Sequence, residues 1–143
     1  MKKFNKKIVK KILFIKSGAI GDVIMTTPLI RTVRNEFPEA EIQYCTGNWS
    51  KGVLENNKNI DKIIPFEEKI IFKKNIFKLL KLAKSLSKEK FDLCFVLDWS
   101  YLAGLFAAMC APSAIRIGFN RNSEGFAHSI RVPYGDKKHD SQY

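Results

Sequence analysis

The segment KILFIKSGAIGDVIMTTPLIRTVR, Lys11 to Arg34, brings two glycines, a serine and one aspartate together where an apolar run gives way to a helical pattern. Ser17, Gly18 and Gly21 let the backbone turn tightly and approach a ligand closely, and Asp22 places a carboxylate at or beside the first helical position. An acid there has two uses. It caps the helix by accepting backbone N–H bonds, or it stays ionised at the positive helix end and accepts a proton from a hydroxyl group. The local residues leave both open. Two other glycine loops fail on spacing. A dinucleotide fingerprint needs Gly-x-Gly before the helix, whereas two residues separate Gly18 from Gly21. The next strand also ends in Tyr44-Cys45-Thr46, without the acid that would hold a ribose hydroxyl. A nucleotide-phosphate loop needs Gly-Lys-Ser/Thr, and the carboxylate after Gly21 would repel a phosphate.

To act on a ligand, Asp22 needs a frame that holds it at an open edge. Ile12 to Ile15 is a short apolar run, as expected of a strand covered on both faces. From Asp22 to Phe37 the spacing predicts one helix, kinked where Pro28 removes a hydrogen bond, and Pro38 closes it. Then follow a strand at Glu41–Thr46, a short helix within Asn48–Asn57, a strand at Lys62–Phe66 and a lysine-rich helix. A strand at Phe91–Asp98, a helix at Tyr101–Cys110 and a strand at Ile115–Phe119 complete the series, and Asn120 to Tyr143 reads as irregular. This alternation predicts an α/β fold, a Rossmann-like doubly wound parallel sheet in the order 3-2-1-4-5. In that order Asp98-Trp99-Ser100 ends the strand beside the first one and faces the Gly-Asp loop across the switch point. Asp98 would bind hydroxyl groups or cap the next helix, and Trp99 would stack on a ligand or fill the core.

The 143 residues suit one domain, and 45% hydrophobic with 27% charged residues excludes a wholly disordered chain. A net charge of +11 favours anionic partners: nucleic acid, acidic lipid head groups or phosphorylated glycans. Six lysines fall within the first eleven residues and eight between Lys69 and Lys90. Lysine runs suit diffuse attraction, and no base-reading module accompanies them, so no specific nucleic-acid partner is expected. Phe72, Ile76, Leu79, Leu80, Ala83 and Leu86 form a helical stripe with most of the lysines outside it. A solvated face accounts for that pattern, with docking on an anionic membrane surface as the alternative. No run approaches the ~20 apolar residues of a membrane span, and the basic start is too briefly apolar for a secretory signal. A cytoplasmic or peripheral protein is therefore expected. Cys45, Cys94 and Cys110 are distant and odd in number, which argues against a disulfide framework. His128 and His139 share no metal-ligand spacing with each other or with a cysteine, so no metal site is expected, and surface or hydrogen-bonding roles suffice for them.

Ser17-Gly18-Ala19-Ile20-Gly21-Asp22-Val23, Thr27-Pro28-Leu29 and Phe37-Pro38 together resemble the start of the family 9 glycosyltransferases, which include the lipopolysaccharide heptosyltransferases. The strand ending at Asp98 and Arg116-Ile117-Gly118-Phe119 extend the likeness more loosely. The resemblance implies an inverting, metal-independent transferase of GT-B architecture, with residues 1–143 as its N-terminal acceptor-binding domain. A C-terminal domain beyond this chain would bind the nucleotide-sugar donor, a co-substrate rather than a cofactor. His139 and Tyr143 resemble the opening of the linker to it. The acceptor would be a glycolipid or oligosaccharide. Asp22 carries over as the base that deprotonates it, with Ser17, Gly18, Gly21, Asp98, Trp99 and Ser100 around it. Asn120-Arg121-Asn122-Ser123 resembles the family's Asp-Arg-x-Ser stretch, so Arg121 would hold an acceptor phosphate or carboxylate with its planar fork. Heptosyltransferases carry a basic residue shortly after the second aspartate, where this chain has Ala103 and Gly104, which points to an acceptor other than the standard heptose primer. Two other classes compete: a non-catalytic basic module that binds a polyanion or membrane with Asp22 only as a cap, and a nucleotide-binding enzyme domain.

Overall fold

The computed structural model describes residues 5–67, 75–98, 100–120 and 124–133. Strands β1 (Lys11–Ile15), β2 (Glu41–Gly47), β3 (Lys62–Phe66), β4 (Leu93–Val96), β5 (Ile115–Asn120) and β6 (Ile130–Pro133) form one all-parallel sheet in the order β3-β2-β1-β4-β5-β6. The expected order occupies the first five places. β6 adds a sixth from a stretch whose sequence reads as irregular. Its four residues are all exposed and it ends in a proline, so the brief alternation of Ile130, Arg131 and Val132 is too short to mark a strand and buries no face.

β1 lies at the centre, and its alternating side chains enter two cores. Ile12 and Phe14 pack with Val23, Ile30, Val33, Ile42 and Tyr44 on one face. Leu13 and Ile15 pack with Leu79, Ala83, Leu86, Phe106 and Ala107 on the other. Complete burial of each large apolar side chain is worth about 1.5–3 kcal/mol, and helices on both faces make the whole run apolar. The first face is covered by α1 (Ile20–Ile24) and α2 (Thr27–Glu36), the second by α3 (Ile76–Ser87) and α4 (Tyr101–Cys110). All three cysteines are free and buried. Burial pushes their thiols up, to about 12 for Cys94, so they act as small apolar side chains rather than nucleophiles.

The expected kinked helix from Asp22 to Phe37 is two helices. Thr26 Oγ1 donates to the Val23 carbonyl at 2.6 Å and Thr27 Oγ1 to the Ile24 carbonyl at 2.8 Å, satisfying groups left open by the end of α1. Pro28 then stands in the first turn of α2, where its missing N–H costs nothing. Between Asn48 and Asn57 the regular element is one 3-10 turn, Lys51–Val53. In α3 the inward residues are Leu79, Ala83 and Leu86, while Ile76 and Leu80, expected in that stripe, face outward; Phe72 lies outside the described residues.

Gly118, in β5, lies against His128, which is buried rather than at the surface. A Cβ added at Gly118 would lie 2.5 Å from the His128 Nε2 atom. Gly118→Ala is therefore expected to cost about 1–3 kcal/mol through overpacking, read as a lower urea midpoint with unchanged slope. An unchanged midpoint would mean that the ring moves aside freely.

Candidate acceptor cleft

The loop after β1 is built from both sides. Gly18 adopts φ +113°, a backbone that favours glycine, and its carbonyl accepts a 2.7 Å bond from the hydroxyl of buried Ser50. Across the switch point, Asp98 accepts from the Ser17 amide at 2.7 Å, the Ser17 hydroxyl at 2.6 Å and the Lys16 ammonium at 3.1 Å. The side chains of Lys16 and Asp98 are only 9% and 11% exposed. Asp98 is thus an anchor, with both oxygens engaged. It does not cap the next helix: that N-cap is Ser100, whose Oγ accepts from the Ala103 amide at 3.0 Å.

Asp22 has the opposite environment. It is the third residue of α1, whose N-cap is Ala19, so the capping role the local residues allow is not the one it fills. Its side chain is exposed and makes no hydrogen bond or ion pair among the described residues. The helix that bears it is held on the sheet. Because Thr26 donates to Val23, the Tyr44 hydroxyl 2.8 Å from Thr26 Oγ1 is the donor in that pair. Burial raises the Tyr44 pKa further above its ordinary value, so it remains a donor.

Two adjoining clefts meet along Lys16 and Asp22. One, of about 220 Å3, is walled by Ser17, Gly18, Asp98 and Ser100; the other, of about 280 Å3, by Met25, Thr26, Leu29, Leu97 and Phe119. Enclosed small-molecule sites begin near 300 Å3, so each is an open half-site, the first with a polar wall and the second with a largely apolar one. Gly21 is exposed, and a Cβ added there would meet nothing within 4 Å. Packing among the described residues gives no reason for glycine at that position.

The structure therefore brings Ser17, Gly18, Asp22, Asp98 and Ser100 to one place, with Gly21 beside Asp22. Trp99 and Arg121, together with His139 and Tyr143, lie outside the described residues. Sequence reasoning missed Lys16 and Ser50. A lysine ending an apolar central strand, next to a strand that ends in aspartate, is a signal for the first; nothing local marks Ser50, whose partner is 32 residues away. Among the described residues no group of three potential metal ligands occurs, and no helix is long and apolar enough to cross a membrane.

No family model matches the chain. It is similar to the lipopolysaccharide core heptosyltransferase OpsX of Haemophilus influenzae, at 25% identity over 117 residues, covering 81% of this chain and 32% of that protein. The solved structure of Escherichia coli ADP-heptose lipopolysaccharide heptosyltransferase II superposes with a TM-score of 0.73 at 26% identity, covering 90% of this chain and 36% of that one. A family 9 glycosyltransferase from Veillonella parvula superposes with a TM-score of 0.71 at 25% identity, covering 89% and 36%. The likeness anticipated from the Gly-Asp loop thus extends over most of the chain, which itself spans about a third of the curated relative's length.

Proposed function

We propose that this chain is the N-terminal, acceptor-binding half of an inverting, metal-independent GT-B glycosyltransferase. It would transfer a heptose-like sugar from a nucleotide-sugar donor to a lipopolysaccharide-core or related glycan on the cytoplasmic side of the membrane. The observation that carries the reading is the contrast between the two acids of the cleft. A general base must reach its substrate with its lone pairs unused; Asp22 meets that demand and Asp98, with three donors on it, does not. The heptosyltransferase likeness supplies the reaction class.

In this reading Asp22 takes the acceptor proton as the hydroxyl oxygen attacks the anomeric carbon, and the nucleotide departs from the opposite face. One displacement inverts that carbon. Gly18 and Gly21 let the sugar approach the backbone, Ser17 and Ser100 line its path, and Asp98 holds the loop through Ser17 and Lys16. Trp99 as a stacking surface and Arg121 as an anion clamp complete the assignment. The donor and the charge of the leaving nucleotide are assigned to a C-terminal domain, so this half alone should bind acceptor without transferring sugar.

Titrating the isotopically labelled chain with phosphorylated lipopolysaccharide-core oligosaccharides tests this directly. Saturable shifts are expected at the amides of Ser17 to Asp22, with a non-phosphorylated, unrelated saccharide inert. If any polyanion acts equally and salt abolishes the effect, the non-catalytic basic module becomes the better account.

A further inference from the structure

The outer face of α3 does not resemble a solvated helix. Ile76, Phe77 and Leu80 are 61%, 85% and 43% exposed, although the same helix buries Leu79, Ala83 and Leu86 on its inner side. Single exposed apolar residues are ordinary, but Leu80 adjoins both Ile76, four residues before it, and Phe77, three before it, so these three form a patch. Lys81 and Lys84, at i+5 and i+8, continue the same face and are exposed, and Lys78 flanks it. The only acid paired with these lysines among the described residues is Glu67, 3.9 Å from Lys78 and itself largely exposed. The chain as a whole carries +11.

We infer that the first two turns of α3 dock this protein on an anionic phospholipid bilayer, with Phe77, Ile76 and Leu80 entering the head-group boundary and Lys81 and Lys84 meeting the lipid phosphates. Apolar side chains beside a ring of lysines fit that interface, which is apolar below and negatively charged above. A purely aqueous polyanion would satisfy the lysines and leave the aliphatic residues in water. Placement adds a reason. α3 returns from the end of β3 to the start of β4, so its first turns lie at the sheet edge that carries Asp22. Leu79 also lines a small apolar cavity that includes Ser17, Asp98 and Ser100. Docking there would hold the cleft beside the bilayer, where the sugar of an amphiphilic acceptor is presented. The docking itself needs no transfer activity; the argument from placement alone rests on the acceptor reading of the cleft.

Co-sedimentation of the 143-residue chain with phosphatidylcholine vesicles, with or without phosphatidylglycerol, tests it. Partitioning should rise at least tenfold with the anionic lipid, fall about tenfold for Phe77→Ser, and fall by a similar factor for Lys81→Gln combined with Lys84→Gln. These side chains are exposed, so circular dichroism and the urea midpoint should not change. Equal partitioning to neutral and anionic vesicles would overturn the inference. So would Phe77→Ser binding as well as the parent, since electrostatic attraction alone would then account for it. Acceptor titration of Phe77→Ser in solution should match the parent, which separates failure of docking from failure of the cleft.

Discussion

Asp22→Asn, in a chain that also carries the donor-binding domain, is expected to lower turnover by about two orders of magnitude or more while acceptor affinity changes only a few-fold. The amide keeps the size and polarity of the carboxylate and loses its basicity. Because Asp22 makes no hydrogen bond or ion pair among the described residues, the variant should unfold at the parent's urea midpoint. Asparagine caps a helix about as well as aspartate, so Asp22→Ala is the variant that tests for a cap: removing a capping side chain would cost about 0.5–2 kcal/mol, and no such loss is expected. Turnover within a few-fold of the parent would refute the assignment, and a lost midpoint would return Asp22 to a structural role.

Asp98 should behave in the reverse way. Asp98→Ala removes the acceptor of three hydrogen bonds, one of them from the Lys16 ammonium, which is 9% exposed. Breaking a pair at that depth costs about 3–5 kcal/mol, most of it from the buried charge left behind. Chemical denaturation should therefore show a large loss in Asp98→Ala and a partial recovery when Lys16→Met is added, because the second change removes the buried ammonium that Asp98 balanced. The exposed Lys6–Glu36 pair provides the comparison, since removing either of its partners should change stability by less than about 1 kcal/mol. A loss that small in Asp98→Ala, or a double variant as unstable as the single ones added together, would show that the two groups do not act as one anchor.

What the residues alone could establish follows from period and punctuation. The apolar run at Ile12–Ile15, the glycines after β1 and the regular alternation of elements specify a parallel doubly wound sheet, since a central strand covered on both faces is apolar throughout. They also bring Asp22 and Asp98 to one edge, because strand order places the ends of β1 and β4 side by side. The break between α1 and α2 was less legible. Pro28 signalled a disturbance, but whether it kinks one helix or opens a second depended on the Thr26 and Thr27 hydroxyls reaching back to Val23 and Ile24.

β6 escaped notice because an exposed edge strand gains its order from pairing with β5 rather than from its own pattern. The outward turn of Ile76 and Leu80 was hidden for a related reason. Helical spacing gives the angle between residues but not which sector meets the sheet, and only the packing of Leu79, Ala83 and Leu86 determined that. The division of labour between the two carboxylates belongs wholly to tertiary structure. Sequence places an acid at each end of the switch point, yet which one is saturated depends on donors from across the sheet, Ser17 and Lys16 reaching Asp98 over 81 and 82 residues of chain. Local residue types determine what a side chain is able to do; long-range contacts determine whether its lone pairs are still available to do it.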